Sequence, residues 1–219
     1  MGREISHPHK PFPSSILLSE SINPKLLSTS PAMAIITTTG GIDLDSDDPN
    51  LIFNVHPFLM FCGYIFIAGQ AIMVYRTVMV QKKVQKFIHM VLHLIAITLG
   101  IIGIYAVFKF HNASGIANMY SLHSWLGIVT FCLYGLQWLF GFLYFWFPGA
   151  AAINRERARP LHKFAGLFIF LMAICTAMMG LVEKFFFLKL QVGTEAHLTN
   201  FIGLFIILFG FSACFSVII

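Results

Sequence analysis

The sequence predicts an all-α integral membrane protein, a bundle of five transmembrane helices. Of its 219 residues, 58% are apolar and only 11% are charged, whereas ordinary soluble domains have about 25% charged residues. Crossing a hydrocarbon core takes about 20 residues of helix. Five apolar stretches reach that length, at 51–75, 87–108, 120–147, 161–182 and 198–219. Because they are continuous rather than alternating, they predict helices and not the strands of a membrane barrel.

Residues 1–48 precede the first stretch and form a separate segment from the predicted membrane domain at 49–219. Up to about Gly41 this segment is rich in Ser, Thr and Pro and has no apolar run of 15 residues. The composition fits a transit peptide, a disordered tail or a mispredicted first exon about equally well. We predict no fold for it.

Basic residues between the stretches predict the orientation in the membrane. They lie in the first connection (Arg76, Lys82, Lys83 and Lys86) and in the third (Arg155, Arg157, Arg159 and Lys163). These connections are two crossings apart and therefore on one side, which the positive-inside tendency makes cytosolic. The formal charge of +5 is spread over connections rather than along one stripe, so nucleic acid is not expected as a partner.

Four histidines mark the beginnings of the first four stretches. His56, His89, His123 and His162 follow one another at intervals of 33, 34 and 39 residues. Consecutive helices run in opposite directions, so His56 and His123 are expected near the non-cytosolic face and the other two near the cytosolic face. The topology therefore predicts two pairs, each at one depth.

Paired imidazoles on facing helices are suited to holding a haem iron from both sides. Two such pairs predict two haem groups about 20 Å apart in depth, which favours electron transfer across the membrane. His93 is one turn from His89 on the same helix face. We favour His89 as the iron ligand because it fits the helix-start pattern, and we expect the other histidine to be a supporting, hydrogen-bonding residue. The alternative is a histidine-lined metal or proton transporter, disfavoured because the five stretches contain no Asp or Glu.

Several motifs give the chain a resemblance to the cytochrome b561 family. They are AIMVYR at 71–76, FKFHN at 108–112, YSLHSW at 120–125 and FPG at 147–149, and the similarity extends over about 50–219. The resemblance implies transmembrane electron transfer from cytosolic ascorbate, through two haem b groups in a four-helix core, to monodehydroascorbate or a ferric chelate. It also implies the ligand pairs His56 with His123 and His89 with His162.

The resemblance implies substrate sites at both faces. On the cytosolic side, the family's basic positions correspond to Lys82, Lys86, Arg76 and Arg155, which would hold ascorbate or, for Arg76, a haem propionate. On the other side, the matching positions are Phe110, His111, Asn112 and Tyr120, near the acceptor, with Tyr120 also expected near the haem. The alternative for each is ordinary topological charge or an exposed loop residue.

One departure from the family pattern is that six helices are expected and no candidate for the first precedes Leu51. Targeting, folding and the contacts of a homodimer would be affected, so an inactive truncated paralogue is a further alternative. The resemblance to plant-like members implies the vacuolar membrane or another endomembrane, with the plasma membrane as the second choice.

Overall fold

The computed structural model describes residues 40–218, in which five long helices account for the fold. We number them α1 to α5; they span Pro49–Thr77, Lys82–Ser114, Leu122–Phe145, Ala152–Phe187 and Thr194–Ile218. All five are long and apolar enough to cross a membrane, which confirms the predicted all-α, multi-pass membrane fold. The expectations for a targeting or disordered segment up to residue 39, and for a missing first helix, lie outside the described residues.

Several helix ends follow from local sequence. The side chain of Asp48 accepts a hydrogen bond from the backbone N–H of Asn50, and Pro49 occupies the first turn of α1, a favoured place for proline because its missing N–H is not needed there. Ser121 caps α3 in the same way. Helix α2 ends at Gly115, whose φ of 67° is the left-handed conformation that glycine adopts without strain.

Four helices begin earlier than the apolar stretches predict, and α2 and α4 differ most. Helix α2 starts at Lys82 rather than residue 87, and α4 starts at Ala152 rather than residue 161. Hydropathy detects only the part of a helix that lies in hydrocarbon, whereas lysine and arginine continue the helix into the interface with their charges in water. The added turns carry most of the basic residues of the first and third connections.

The helices pack as two antiparallel pairs with one additional helix. Helix α1 packs along α2, and α3 packs along α4; α5 lies against α1 and α4. A buried apolar core occupies the middle of the bundle and includes Tyr64, Ala96, Tyr134 and Phe170. The core separates the two ends of the bundle, each of which holds one group of histidines.

Helix α1 contains an irregular segment at mid-length. Residues Met60–Ile67 form π-helical turns between two α-helical parts. A π turn closes its hydrogen bond one residue later than an α turn, so it takes up an extra residue without ending the helix. This shifts the second half of α1 by one residue relative to a regular helix.

Candidate functional site

The structure brings the four histidines together as two pairs. The rings of His56 on α1 and His123 on α3 have their centres 6.3 Å apart. At the other end of the bundle, the rings of His89 on α2 and His162 on α4 have their centres 6.5 Å apart. All four rings are partly buried. The pairing is the one that the alternating helix directions predict.

The spacing of both pairs fits one iron atom between two imidazoles. An imidazole nitrogen bonds a metal at about 2 Å and lies about 1 Å from its ring centre, so rings on opposite sides of one metal have centres roughly 6 Å apart. No cluster of three or more His, Cys, Asp or Glu suited to a metal ion occurs between residues 40 and 218. Two imidazoles alone suit a metal whose other ligands come from a macrocycle, as in haem.

Three of the rings are fixed by backbone carbonyl groups. The Nδ1 atom of His56 lies 2.9 Å from the Gly103 oxygen, and that of His89 lies 2.8 Å from the Ala71 oxygen. The Nδ1 of His123 lies 2.9 Å from the oxygen of Thr176. A carbonyl only accepts, so Nδ1 carries the proton and Nε2 keeps the lone pair that a metal requires.

A side chain replaces the carbonyl at the fourth ring. The amide nitrogen of Gln137 lies 2.9 Å from Nδ1 of His162. The same nitrogen donates a hydrogen bond to the backbone oxygen of His162 at 2.7 Å. The His162 ring is therefore held from α3, but by a donor group instead of an acceptor.

The ring partners recur at a fixed distance along each helix. On α2, α3 and α4, the residue that contacts the other helix's paired histidine lies 14 positions after the paired histidine of its own helix. These residues are Gly103, Gln137 and Thr176. On α1 the interval is 15, from His56 to Ala71, and the π segment lies between them. Fourteen residues of helix span about 21 Å, so the two pairs are separated by approximately that depth.

His93 lies beside the pair formed by His89 and His162. Its ring centre is 4.4 Å from that of His89, and its Nδ1 is 2.6 Å from the hydroxyl of Tyr134. Tyr134 in turn packs against Tyr64. His93 is thus bonded to Tyr134 rather than to His89, and the choice of His89 as the iron ligand stays a prediction.

The predicted basic residues divide into two places at the end of the bundle that holds His89 and His162. Lys86 Nζ donates to the Phe145 oxygen at 3.2 Å, and Arg155 Nη1 donates to the Ala150 oxygen at 2.8 Å; their positive charges act on one another. Arg76 instead donates to the Ser216 oxygen on α5. Lys82 is exposed at the start of α2.

Three of the predicted residues at the opposite end, Phe110, His111 and Asn112, are close to one another. Nδ1 of His111 donates to the Asn118 side-chain oxygen at 3.1 Å, and the Asn118 amide donates to Asn112 at 3.1 Å. Phe110 packs against Phe53 of α1 at 4.9 Å between ring centres. Partial burial and, to a lesser extent, the charge of Glu183 raise the pKa of Tyr120 above its usual value.

Comparison with known proteins identifies the family. Residues 55–188 match the family described as eukaryotic cytochrome b561, a range that includes all four paired histidines. The chain belongs to the cytochrome b561 family. Membership implies haem b as cofactor, and the paired rings at 6.3 and 6.5 Å fit that cofactor.

The relatives of this cytochrome b561 protein include plant and animal members. A probable ascorbate-specific transmembrane electron transporter of Oryza sativa subsp. japonica is 52% identical over 80% of this chain and 76% of its own length. A transmembrane ascorbate ferrireductase of Arabidopsis thaliana is 45% identical over 80% and 75%. A transmembrane ascorbate-dependent reductase of Mus musculus is 44% identical over 78% and 69%.

The roles of Gln137, Thr176 and Asn118 could not be predicted from the sequence. Their contacts depend on which residue of a neighbouring helix lies at the same depth, which a single stretch does not show. A signal was nevertheless present, since Gln137 and Thr176 each follow a paired histidine by 14 residues. In this cytochrome b561 chain, that spacing marks the residues that touch the opposite histidine.

Proposed function

We propose that this chain is a transmembrane oxidoreductase that takes electrons from cytosolic ascorbate and delivers them to an acceptor on the other side, through two haem b groups. The observation that carries the proposal is the pair of histidine couples at opposite ends of one bundle, each with ring centres 6.3 to 6.5 Å apart. The names of relatives such as the ferrireductase of Arabidopsis thaliana support it.

His89 and His162 would bind one haem, and His56 and His123 the other. Haem supplies a one-electron ferric–ferrous couple when it is bound. The chain would supply one imidazole from each of two facing helices to each haem, a ligand set that favours electron transfer over oxygen activation. The two histidine pairs are about 21 Å apart in depth, and the apolar core lies between them.

The basic residues at the cytosolic end would bind the donor. Ascorbate is an anion at neutral pH, and charged hydrogen bonds from lysine and arginine suit its oxygens. Lys86 and Arg155 are close enough for their charges to interact, so one anion between them would relieve their repulsion. Lys82 would add charge at the entrance, whereas Arg76 is directed to α5 and would act on a haem propionate or on the helix end.

The polar residues at the opposite end would bind the acceptor, which we propose to be monodehydroascorbate or a ferric chelate. His111 and Asn112 are linked through Asn118, and Phe110 is packed against α1. Tyr120 has a raised pKa, so its phenol remains protonated and can donate a hydrogen bond at physiological pH. His111 can accept or release the proton that accompanies reduction of monodehydroascorbate.

The location and assembly that we propose are those implied by the family resemblance. We place the protein in the vacuolar membrane or another endomembrane, with its basic connections in the cytosol, and we expect a homodimer. Fluorescent fusions and crosslinking in native membranes test both points separately from the electron-transfer reaction.

A spectrum of the purified protein tests the function. We expect a pyridine haemochrome content of two haem b per chain, and reduction of both by ascorbate in a reduced-minus-oxidised optical spectrum. In proteoliposomes, external ascorbate should reduce an enclosed ferric chelate. Absence of haem would overturn the proposal; two haems without reduction by ascorbate would leave the binding sites but refute the donor.

A further inference from the structure

The two proposed haem sites are related by an approximate two-fold arrangement of α3 and α4, and one residue departs from it. Thr176 and Gln137 occupy equivalent places, each 14 residues after the paired histidine of its own helix and each against the paired histidine of the other helix. Thr176 offers its backbone carbonyl to His123. Gln137 offers its side-chain amide to His162 instead.

The two partners have opposite hydrogen-bonding character. The carbonyl of Thr176 accepts a hydrogen bond from Nδ1–H, which makes the imidazole a stronger electron donor to a metal on Nε2. The nitrogen of Gln137 has two hydrogens and no free acceptor, and it is already anchored by donating to the His162 oxygen at 2.7 Å. When His162 binds iron through Nε2, its Nδ1–H therefore faces a donor.

We propose that Gln137 places a donor where Nδ1–H of His162 needs a hydrogen-bond acceptor. The midpoint potential of the haem bound by His89 and His162 is thereby raised. The inference rests on the proposed function, since it assumes haem at this pair. A weaker imidazole donor stabilises the ferric state less, so the ferrous state is favoured. Gln137 is a positioning residue: it acts through His162 and does not touch the iron.

The consequence is an asymmetry between two otherwise similar sites. His56, His89 and His123 all donate to carbonyl groups, so the effect is confined to the site that contains His162. That site is at the basic end, where the electron from ascorbate would enter. A raised potential there favours acceptance of this electron.

Two substitutions separate this role from simple packing. Gln137→Glu replaces the amide nitrogen by an oxygen that accepts from Nδ1–H, so the potential of one haem should fall by the equivalent of about tenfold in its one-electron equilibrium constant, about 59 mV. Gln137→Met supplies no acceptor, so its potential should stay near that of the native protein. Both variants lose the hydrogen bond to the His162 oxygen, because neither an ionised glutamate nor a methionine has a donor. A purely structural role therefore predicts similar changes in both variants, and not a fall in potential confined to Gln137→Glu.

The charge of the new glutamate requires its own control. Gln70 is partly buried next to Ala71, at the depth of the same pair, so Gln70→Glu adds a comparable charge without an acceptor for His162. The decisive readout is the pulsed-EPR signal of the non-coordinating imidazole nitrogen, recorded with the sample poised so that one haem is ferric. We expect this signal to change in Gln137→Glu and to be unchanged in Gln70→Glu.

The outcomes distinguish this inference from the proposed function. Fewer than two haems in the unmodified protein would refute the function. If the native protein and Gln137→Glu both bind two haems, with the same potentials and the same nitrogen signals in both proteins, the role of Gln137 is refuted and the proposed function is not. A shift of both potentials by the same amount would also refute it, because it would indicate a general effect of charge.

Discussion

Gly180 of α4 lies directly against the ring of His123: a Cβ atom added to this glycine would stand 2.9 Å from Cε1 of the histidine. Gly141 of α3 has the same relation to His162, at 3.1 Å. Each glycine follows the paired histidine of its own helix by 18 residues, which is five turns and hence the same helix face. The antiparallel packing of α3 and α4 then places each histidine opposite the other helix's glycine.

This relation predicts the effect of filling one of these places. In Gly180→Val the added atoms overlap with the His123 ring, which must move away from His56, so haem content should fall from two to about one per chain by the pyridine haemochrome assay. Gly135→Val is the matched control, because an added Cβ there meets no atom within 4 Å. Two haems with unchanged EPR signals in Gly180→Val would contradict the assigned site.

Neighbouring histidines on α2 should respond differently to the same substitution. His89→Leu removes a ring that faces His162 at 6.5 Å, so we expect loss of the haem at that pair. His93→Leu removes a ring whose nitrogen bonds Tyr134, so both haems should be retained with a shift in one potential. The measurement is haem stoichiometry with redox titration. If His89→Leu retains two haems and His93→Leu loses one, His93 rather than His89 is the iron ligand.

The pairing of histidines could be predicted from sequence because it needs only helix order and direction. The rule that each histidine lies near a helix start was less accurate. His123 is the second residue of α3, whereas His162 lies ten residues after the first residue of α4. What the pairs share is their depth in the bundle, and helix starts depend also on how far the basic ends extend into the interface.

The partners of the rings could not be predicted in the same way. The π segment at Met60–Ile67 moves Ala71 into contact with His89, and nothing in the run MFCGYIFI distinguishes it from an ordinary apolar helix. The role of Gln137 likewise arises from its contact with α4. Such features depend on the register between helices, which is determined by packing and not by local pattern.

Lys86 should affect binding of the donor more than the chemistry of its oxidation. We expect Lys86→Gln to raise the KM for ascorbate about tenfold, since a hydrogen bond to a charged group contributes about 1.5–3 kcal/mol and 1.4 kcal/mol is a factor of ten. The maximal rate and haem spectrum should be largely retained. Lys83→Gln, at an exposed position one turn earlier, is the control, and an equal change in KM in both variants would indicate only general attraction of anions.

Tyr64 provides a test of the core between the two sites. Its hydroxyl is buried and, among the described residues, has no hydrogen-bond partner, while its ring contacts Phe131 and Tyr134. A buried polar group without a partner costs about 1–3 kcal/mol. Tyr64→Phe keeps the ring contacts and removes this cost, so it should raise the thermal unfolding temperature of the detergent-solubilised protein.

Tyr134→Phe is the comparison for that prediction, because it removes the same hydroxyl from a ring in the same core. The Tyr134 hydroxyl is bonded to His93 at 2.6 Å, so its loss leaves the His93 nitrogen unpaired and should lower the unfolding temperature. The rings of Tyr64 and Tyr134 have centres 4.9 Å apart. A rise in unfolding temperature for one variant and a fall for the other would show that the two tyrosines differ in hydrogen bonding rather than in ring packing. A loss of stability in Tyr64→Phe would instead indicate an internal water that satisfies its hydroxyl.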